Sequence, residues 1–127
     1  MNKIYHLSTC DTCRKILAQL DLDGVELINI REQNISKEDL DLMKKSTKSY
    51  EALFNKRAQK LRDLPESKKP VKESDFKKLI LKEYTFLKRP AAIIDGKVFV
   101  GNDKNTIEAL ISALNHSDKS INLFAIK

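Results

Sequence analysis

Both cysteines of the chain, Cys10 and Cys13, sit where a strand pattern gives way to a helix pattern. Residues 3–7 are short, apolar and β-prone. A polar Ser8-Thr9 turn follows, and then Cys13, Ile16, Leu17 and Leu20 recur at helical spacing up to about residue 20. Asp11 stands in the first turn, where a negative side chain meets the positive end of the helix. After Asp23-Gly24 a second β-prone run covers residues 25–30. Two strands joined by a helix pair in parallel, through a right-handed crossover. The opening of the chain therefore predicts an α/β layer structure with a Cys-x-x-Cys at a strand-to-helix turn.

The remaining periodicities extend this frame. Ser36 is an N-cap with Asp39 three residues on, and a helix runs to about residue 45 with Leu40 and Met43 inward. Residues 47–64 read as two short helices parted near 55–57, one around Tyr50, Leu53 and Phe54, the other around Leu61 and Leu64. Residues 65–70 read as a loop. Ser74 then caps a helix to about residue 84, with Phe76, Leu79, Ile80 and Tyr84 inward. Ala91-Ala92-Ile93-Ile94 is apolar throughout, as a strand covered on both faces should be. Asp95-Gly96 is a two-residue hairpin turn into a return strand over 97–100. A last helix covers 104–114, with Ile107, Leu110, Ile111 and Leu114 inward. The order is strand, helix, strand, several helices, strand, strand, helix. That is a thioredoxin-like α/β arrangement with a mixed four-stranded sheet and a helical insertion, about 34–86, after the second strand. The domain is expected over 1–115. Residues 116–127 form a tail: a loose polar segment, then an apolar one that forms a small strand, clips onto the domain or binds a partner.

Composition narrows the function classes. At 127 residues the chain suits one domain with one core. No apolar run approaches the 18 or so residues that a membrane span needs. The first residues pass straight into a strand pattern with no leader-like segment, so the protein is expected in the cytosol. Two cysteines three apart cannot staple distant loops, and in a reducing compartment such a pair is catalytic or metal-binding. A zinc site would need two more ligands, and His6 and His116 are the sole histidines, so no metal is expected. The net charge of +6 is dispersed and suits a small anion, an acidic protein surface or nucleic acid, choosing weakly between them. Aromatic residues are only 6% and no nucleic-acid-binding signature appears, so direct nucleic-acid binding is not expected.

Cys10 is the residue expected to react. A thiol acts as thiolate, and a cysteine entering a helix meets unpaired N–H groups and the positive end of the dipole. Arg14, one turn on, adds to this if its head folds back; Ser8, Thr9 and Thr12 supply local donors. Cys13 lies on the inward stripe, either as a resolving thiol for Cys10 or as a small buried hydrophobe. His6 either biases the thiolate or is a half-buried histidine with its own partner. Pro90, lacking an amide donor, belongs at the first residue of its strand. A cis Arg89-Pro90 bond would set a fixed corner beside the cysteine turn, with Arg89 offering paired donors to an oxyanion.

The segments Ile4-Tyr5-His6, Cys10-x-Thr12-x-Arg14, Leu53-Phe54-Asn55-Lys56-Arg57, Leu87-Lys88-Arg89-Pro90 and Asp95-Gly96-Lys97 with Val100-Gly101 together resemble the arsenate reductase family. The branch is the glutaredoxin-coupled one, which also holds the Spx regulators. The resemblance spans residues 4–114. It implies that Cys10 is the nucleophile, with His6 near the thiolate, Arg14 after it, and Arg89 as an oxyanion-binding arginine before a cis Pro90. Arg57 matches an arginine of Spx-like members, and Lys104 is the nearest cation to an arginine expected after the last strand. It implies no bound cofactor, glutathione or another small thiol as co-substrate, glutaredoxin or thioredoxin as electron donor, and a small oxyanion as substrate. Two alternatives accompany this reading. One is a redox sensor of the Spx type, whose Cys-x-x-Cys governs contact with RNA polymerase. The other is a general glutathione- or thioredoxin-linked disulfide reductase. The chain departs from well-characterised reductases at Leu7-Ser8 (Asn-Pro there), at Asp11-Thr12-Cys13-Arg14 (Gly-Thr-Ser-Arg there) and at Asn55, where an arginine is expected.

Overall fold

The computed structural model describes residues 2–126, with side chains described as far as Asn115. Four strands, β1 (Asn2–His6), β2 (Val25–Asn29), β3 (Ala91–Ile94) and β4 (Lys97–Val100), form one mixed sheet in the order β2-β1-β3-β4. β1 and β2 are parallel, from Asn2 opposite Val25 to His6 opposite Asn29, as the helical crossover requires. β3 runs antiparallel to β1, and β4 to β3. The hairpin turns through Asp95 (φ 51°) and Gly96 (φ 79°), the two left-handed residues that a tight turn between twisted strands demands.

Alternation along each strand splits the core into two layers. Tyr5, Leu7, Ile28, Ala91 and Ile93 face the side covered by α2 (Lys37–Thr47), α4 (Glu73–Lys82) and the rest of the insertion. Ile4, Ala92 and Ile94 face the other side, under Ile16 of α1 (Asp11–Leu17) and Leu110 and Leu114 of α5 (Lys104–Ile126). All four residues of β3 are buried, as expected of a strand covered twice. The fold is thioredoxin-like, with the insertion between β2 and β3.

The insertion is tied to the segment that leads into β3 by an isolated bridge between Phe54 and Leu87. Phe54 is fully buried, stacked on Phe86 and edge-on to Phe76, each at 5.1 Å between centroids. Around it Lys88 N donates to Leu53 O at 2.9 Å and Asn55 N donates to Phe86 O at 2.7 Å. Residues 53–55 are thereby laced to 86–88, directly before Arg89. Between Phe54 and α4 lie a 3₁₀ turn (Glu66–Lys68) inside the predicted loop and a one-turn helix, α3 (Gln59–Asp63).

Four element boundaries differ from expectation. α1 closes at Leu17 rather than near Leu20, because Gln19 N and Leu20 N bond three residues back, to Ile16 O and Leu17 O, and tighten the end. α4 is capped at Lys72 rather than Ser74: the Asp75 carboxylate accepts from Val71 N (3.0 Å) and Lys72 N (3.1 Å), a stronger acceptor than the serine hydroxyl. α4 ends at Lys82, and Tyr84–Phe86 forms a separate 3₁₀ turn. α5 does not stop near Leu114 but continues through Ile126, since no Gly or Pro interrupts 115–126. A loose segment followed by a small strand is therefore not what the backbone forms there; whether the tail's side chains pack or bind lies outside the described residues. Among the described residues no helix is long and apolar enough to cross a membrane.

Candidate functional site

Cys10 occupies the N-cap of α1. Its backbone is extended (φ −95°, ψ 114°), its carbonyl accepts from Arg14 N at 3.1 Å, and its sulfur accepts from Cys13 N at 3.5 Å. This is the usual N-cap bond with a sulfur in place of the oxygen. The turn leading in is held from β2: Asn29 Nδ2 donates to Ser8 Oγ at 2.9 Å, and Ser8 N to Asn29 Oδ1 at 3.3 Å. Burial works against an anion at Cys10. The N–H and thiol of Cys13, the charge of Arg89 and the N–H of Thr12 together outweigh it and hold the thiol below its ordinary pKa. Cys13 is fully buried, and burial with the neighbouring Cys10 pushes its thiol up to about 11. One thiol is prepared as an anion; the other keeps its proton.

Arg89 approaches from the opposite side, before a cis bond to the buried Pro90. The carbonyl of Pro90 accepts from Gly101 N at 2.9 Å, which ties this corner to the exit of β4. Arg89 Nη1 donates to Thr85 O and Leu87 O, both at 3.2 Å. Nε is buried and has no acceptor among the described residues. The guanidinium is therefore anchored through Nη1, while its Nε is left without a partner there.

Cys10 and Arg89 share an open cleft of about 860 Å³. Thr85 and Lys88 line it beside Arg89; Asn55, Lys56, Arg57 and Lys60 line it from the insertion, and Gly101, Asn102 and Asp103 close the third side. Lys56 pairs with Glu51 (2.6 Å) and Lys60 with Glu83 (2.7 Å). Arg57 and Lys88 form no ion pair closer than 4 Å among the described residues; together with Arg89 they outnumber the two lining carboxylates, Asp63 and Asp103, the second of which feels the charge of Lys88, so the cleft keeps a small positive excess.

Of the expected residues, Cys10, Arg57 and Arg89 line this cleft; Cys13 and Pro90 are buried outside the lining, Cys13 next to Cys10 and Pro90 next to Arg89. Thr12 contributes its main-chain N–H, while its exposed side chain stays outside the lining. Arg14 does not fold back toward the thiol: it donates to Ser8 O at 2.9 Å and pairs with Asp11. A carboxylate three residues before it on the same face competes for it. His6 lies outside the cleft lining, and burial lowers its pKa against the opposing pull of Glu32. Lys104, exposed at the start of α5, is also outside the lining. Asn55, Lys56, Lys60, Thr85 and Lys88 were not among the residues expected there. The basic string Lys56-Arg57 with Lys60 was a readable signal; Thr85 acts through its carbonyl and carried none. No group of His, Cys, Asp and Glu side chains suited to a metal occurs among the described residues.

The family model of the ArsC family matches residues 5–110. The chain belongs to the ArsC family. Among solved structures, the YFFB protein is 22% identical over 87% of this chain and 99% of that one, at a TM-score of 0.74. An arsenate reductase (ArsC) related protein from Brucella melitensis is 29% identical over 85% and 92%, at 0.63. An arsenate reductase from Vibrio cholerae is 18% identical over 89% and 97%, at 0.70. No curated protein matches the chain. The ArsC-family fold thus covers nearly the whole of this chain, and the helical insertion that supplies Arg57 is part of it.

Proposed function

We propose that this ArsC-family chain is a thiol-dependent oxidoreductase that reduces a small oxyanion of the arsenate type. One observation carries the reading: a thiol with a lowered pKa and a guanidinium whose Nε has no partner among the described residues line the same cleft, where basic side chains outnumber acidic ones. The Cys10 thiolate attacks the central atom. A sulfur–arsenic bond forms, an arsenic–oxygen bond breaks, and the oxygen leaves as water with a proton. Arg89 stabilises the remaining oxygens by preorganised donors, with Arg57 in the same lining. A second thiol then attacks the Cys10 sulfur. A disulfide forms, the sulfur–arsenic bond breaks, and its electron pair stays on arsenic, which leaves as arsenite. Cys13 is the second thiol nearest at hand, once deprotonated; glutathione or another small thiol is the alternative. Glutaredoxin or thioredoxin returns the disulfide to dithiol.

The test is arsenate-dependent oxidation of a thiol donor by the wild type, Cys10→Ser and Cys13→Ser, with glutathione and glutaredoxin in one arm and thioredoxin in the other. Turnover that vanishes with Cys10→Ser is expected. The Cys13 contact with Cys10 favours one second reading, a redox switch that acts on a protein partner. Absent turnover in both arms, with ready Cys10–Cys13 disulfide formation under peroxide, would select the switch.

A further inference from the structure

Arg89 is held by two main-chain carbonyls and nothing else among the described residues. One of those carbonyls is shared. Asn55 Nδ2 donates to Thr85 O at 3.2 Å, the same oxygen that receives Arg89 Nη1 at 3.2 Å. The other end of the Asn55 amide, Oδ1, accepts from Arg57 N at 3.1 Å. Its main-chain N–H donates to Phe86 O at 2.7 Å. One side chain thus touches the anchor of Arg89 and the backbone of Arg57, the two guanidinium-bearing residues that line the cleft.

We infer that Asn55 is a positioning residue for anion binding, setting the Arg89 guanidinium through Thr85 O and the Arg57 loop through its own carbonyl. The inference rests on the reading of Arg89 as an anion-binding group, and not on turnover. A carbonyl oxygen with two donors is fixed in direction, so the Nη1 it receives is fixed as well. Glu83 completes the frame by accepting from Thr85 N (3.1 Å) and Thr85 Oγ1 (3.0 Å). An arginine side chain held through one nitrogen has rotamer freedom to recover if an anchor moves, and that freedom would be lost again on binding an anion.

The experiment measures how far arsenate, and separately sulfate, protects Cys10 of the full chain from alkylation by iodoacetamide. Asn55→Ser keeps an oxygen that can accept from Arg57 N but is too short to reach Thr85 O. Protection by either anion should need about fivefold more anion than in wild type, the effect of one neutral hydrogen bond. Unprotected alkylation near pH 10, where the thiolate is complete in both, should be unchanged. Arg89→Lys removes the paired donors, and adding Asn55→Ser to it should cost nothing further. Protection equal to wild type, even with a lower Tm, overturns the inference and leaves Asn55 a purely structural residue. Losses that add in the double variant overturn it too, because Asn55 would then act without Arg89. Should Asn55→Ser fold poorly, Asn55→Thr, which is likewise neutral and keeps an acceptor for Arg57 N, is read in the same cycle. If the wild type shows no protection by either anion, the oxyanion reading fails first, and this positioning role fails with it; a protected wild type with an unaffected Asn55→Ser sinks the positioning role alone.

Discussion

The sulfur of Cys10 accepts the main-chain N–H of Cys13 at 3.5 Å, so the second cysteine stabilises the first through its backbone while its own thiol is buried beneath it. The two residues divide the work that reduction requires. Cys10 gains its anion from helix-start donors and Arg89; Cys13 keeps its proton chiefly because it is buried, and the part of the opposition that comes from the Cys10 thiolate is lifted once Cys10 is bonded.

Alkylation of Cys10 by iodoacetamide should titrate with a midpoint below that of an ordinary thiol, about 8.5. Cys13→Ala removes a thiol donor but leaves the N–H, so the midpoint should rise only part of the way toward that of an ordinary thiol. A midpoint at or above the ordinary value would remove the basis for Cys10 as attacker. Rates across pH, with mass spectrometry to locate the label, check it.

Arg89→Lys keeps a positive charge but cannot span two carbonyls and still offer a donor edge. We expect kcat/KM for arsenate to fall about 30-fold or more, near 2 kcal/mol of transition-state stabilisation. Arg14→Lys should lie within about threefold of wild type, since Arg14 is engaged by Ser8 and Asp11 on an exposed surface. Steady-state kinetics on both variants would expose the opposite ranking.

Phe54→Ala opens a cavity between Phe76 and Phe86 at the point where the insertion meets the sheet. Urea denaturation should show a loss of about 3–5 kcal/mol. Because residues 53–55 lace to 86–88, anion protection of Cys10 should weaken in the folded fraction as well.

Tyr5 is buried with its hydroxyl donating to Asp39, and burial with that carboxylate pushes its pKa up to about 12. The folded state therefore holds a proton that the unfolded chain releases near pH 10. Its contribution is complete below about pH 10 and is lost as pH rises through about 12. Cys13, raised to about 11, adds a loss beginning somewhat lower, near pH 9. Tyr5→Phe should cost about 1–3 kcal/mol at neutral pH and flatten the alkaline limb of stability against pH. Equal slopes for the two proteins between about pH 10 and 12 would contradict this.

Much of the frame was legible because it is written locally. Residues one to four apart declare the strand and helix periods, the Ser36 cap, the Asp95-Gly96 turn and the cysteines at the entrance to α1. The Arg89-Pro90 corner was legible in part, since a proline cannot donate to the ladder; it stands one residue before β3 rather than at its first position, and that its bond is cis only the structure decided. The boundaries that moved are also local, but they turned on competition. Asp75 outbid Ser74 for the start of α4, and Asp11 holds Arg14 away from the thiol it was expected to serve.

The wiring of the cleft belongs to the tertiary structure. Asn55 and Arg89 meet at the carbonyl of Thr85, 30 residues from the first and four from the second. Every residue type carries a carbonyl, so no side-chain pattern marks the one that matters. His6 and Lys104 bear suitable chemistry in their motifs, yet the packing of β1 and the start of α5 leave both outside the lining. Residue identities along the chain specify which groups can react and which elements will carry them. Which of those groups share one volume follows from the sheet register and from the Phe54 anchor, because side chains far apart in sequence meet only where the core has packed.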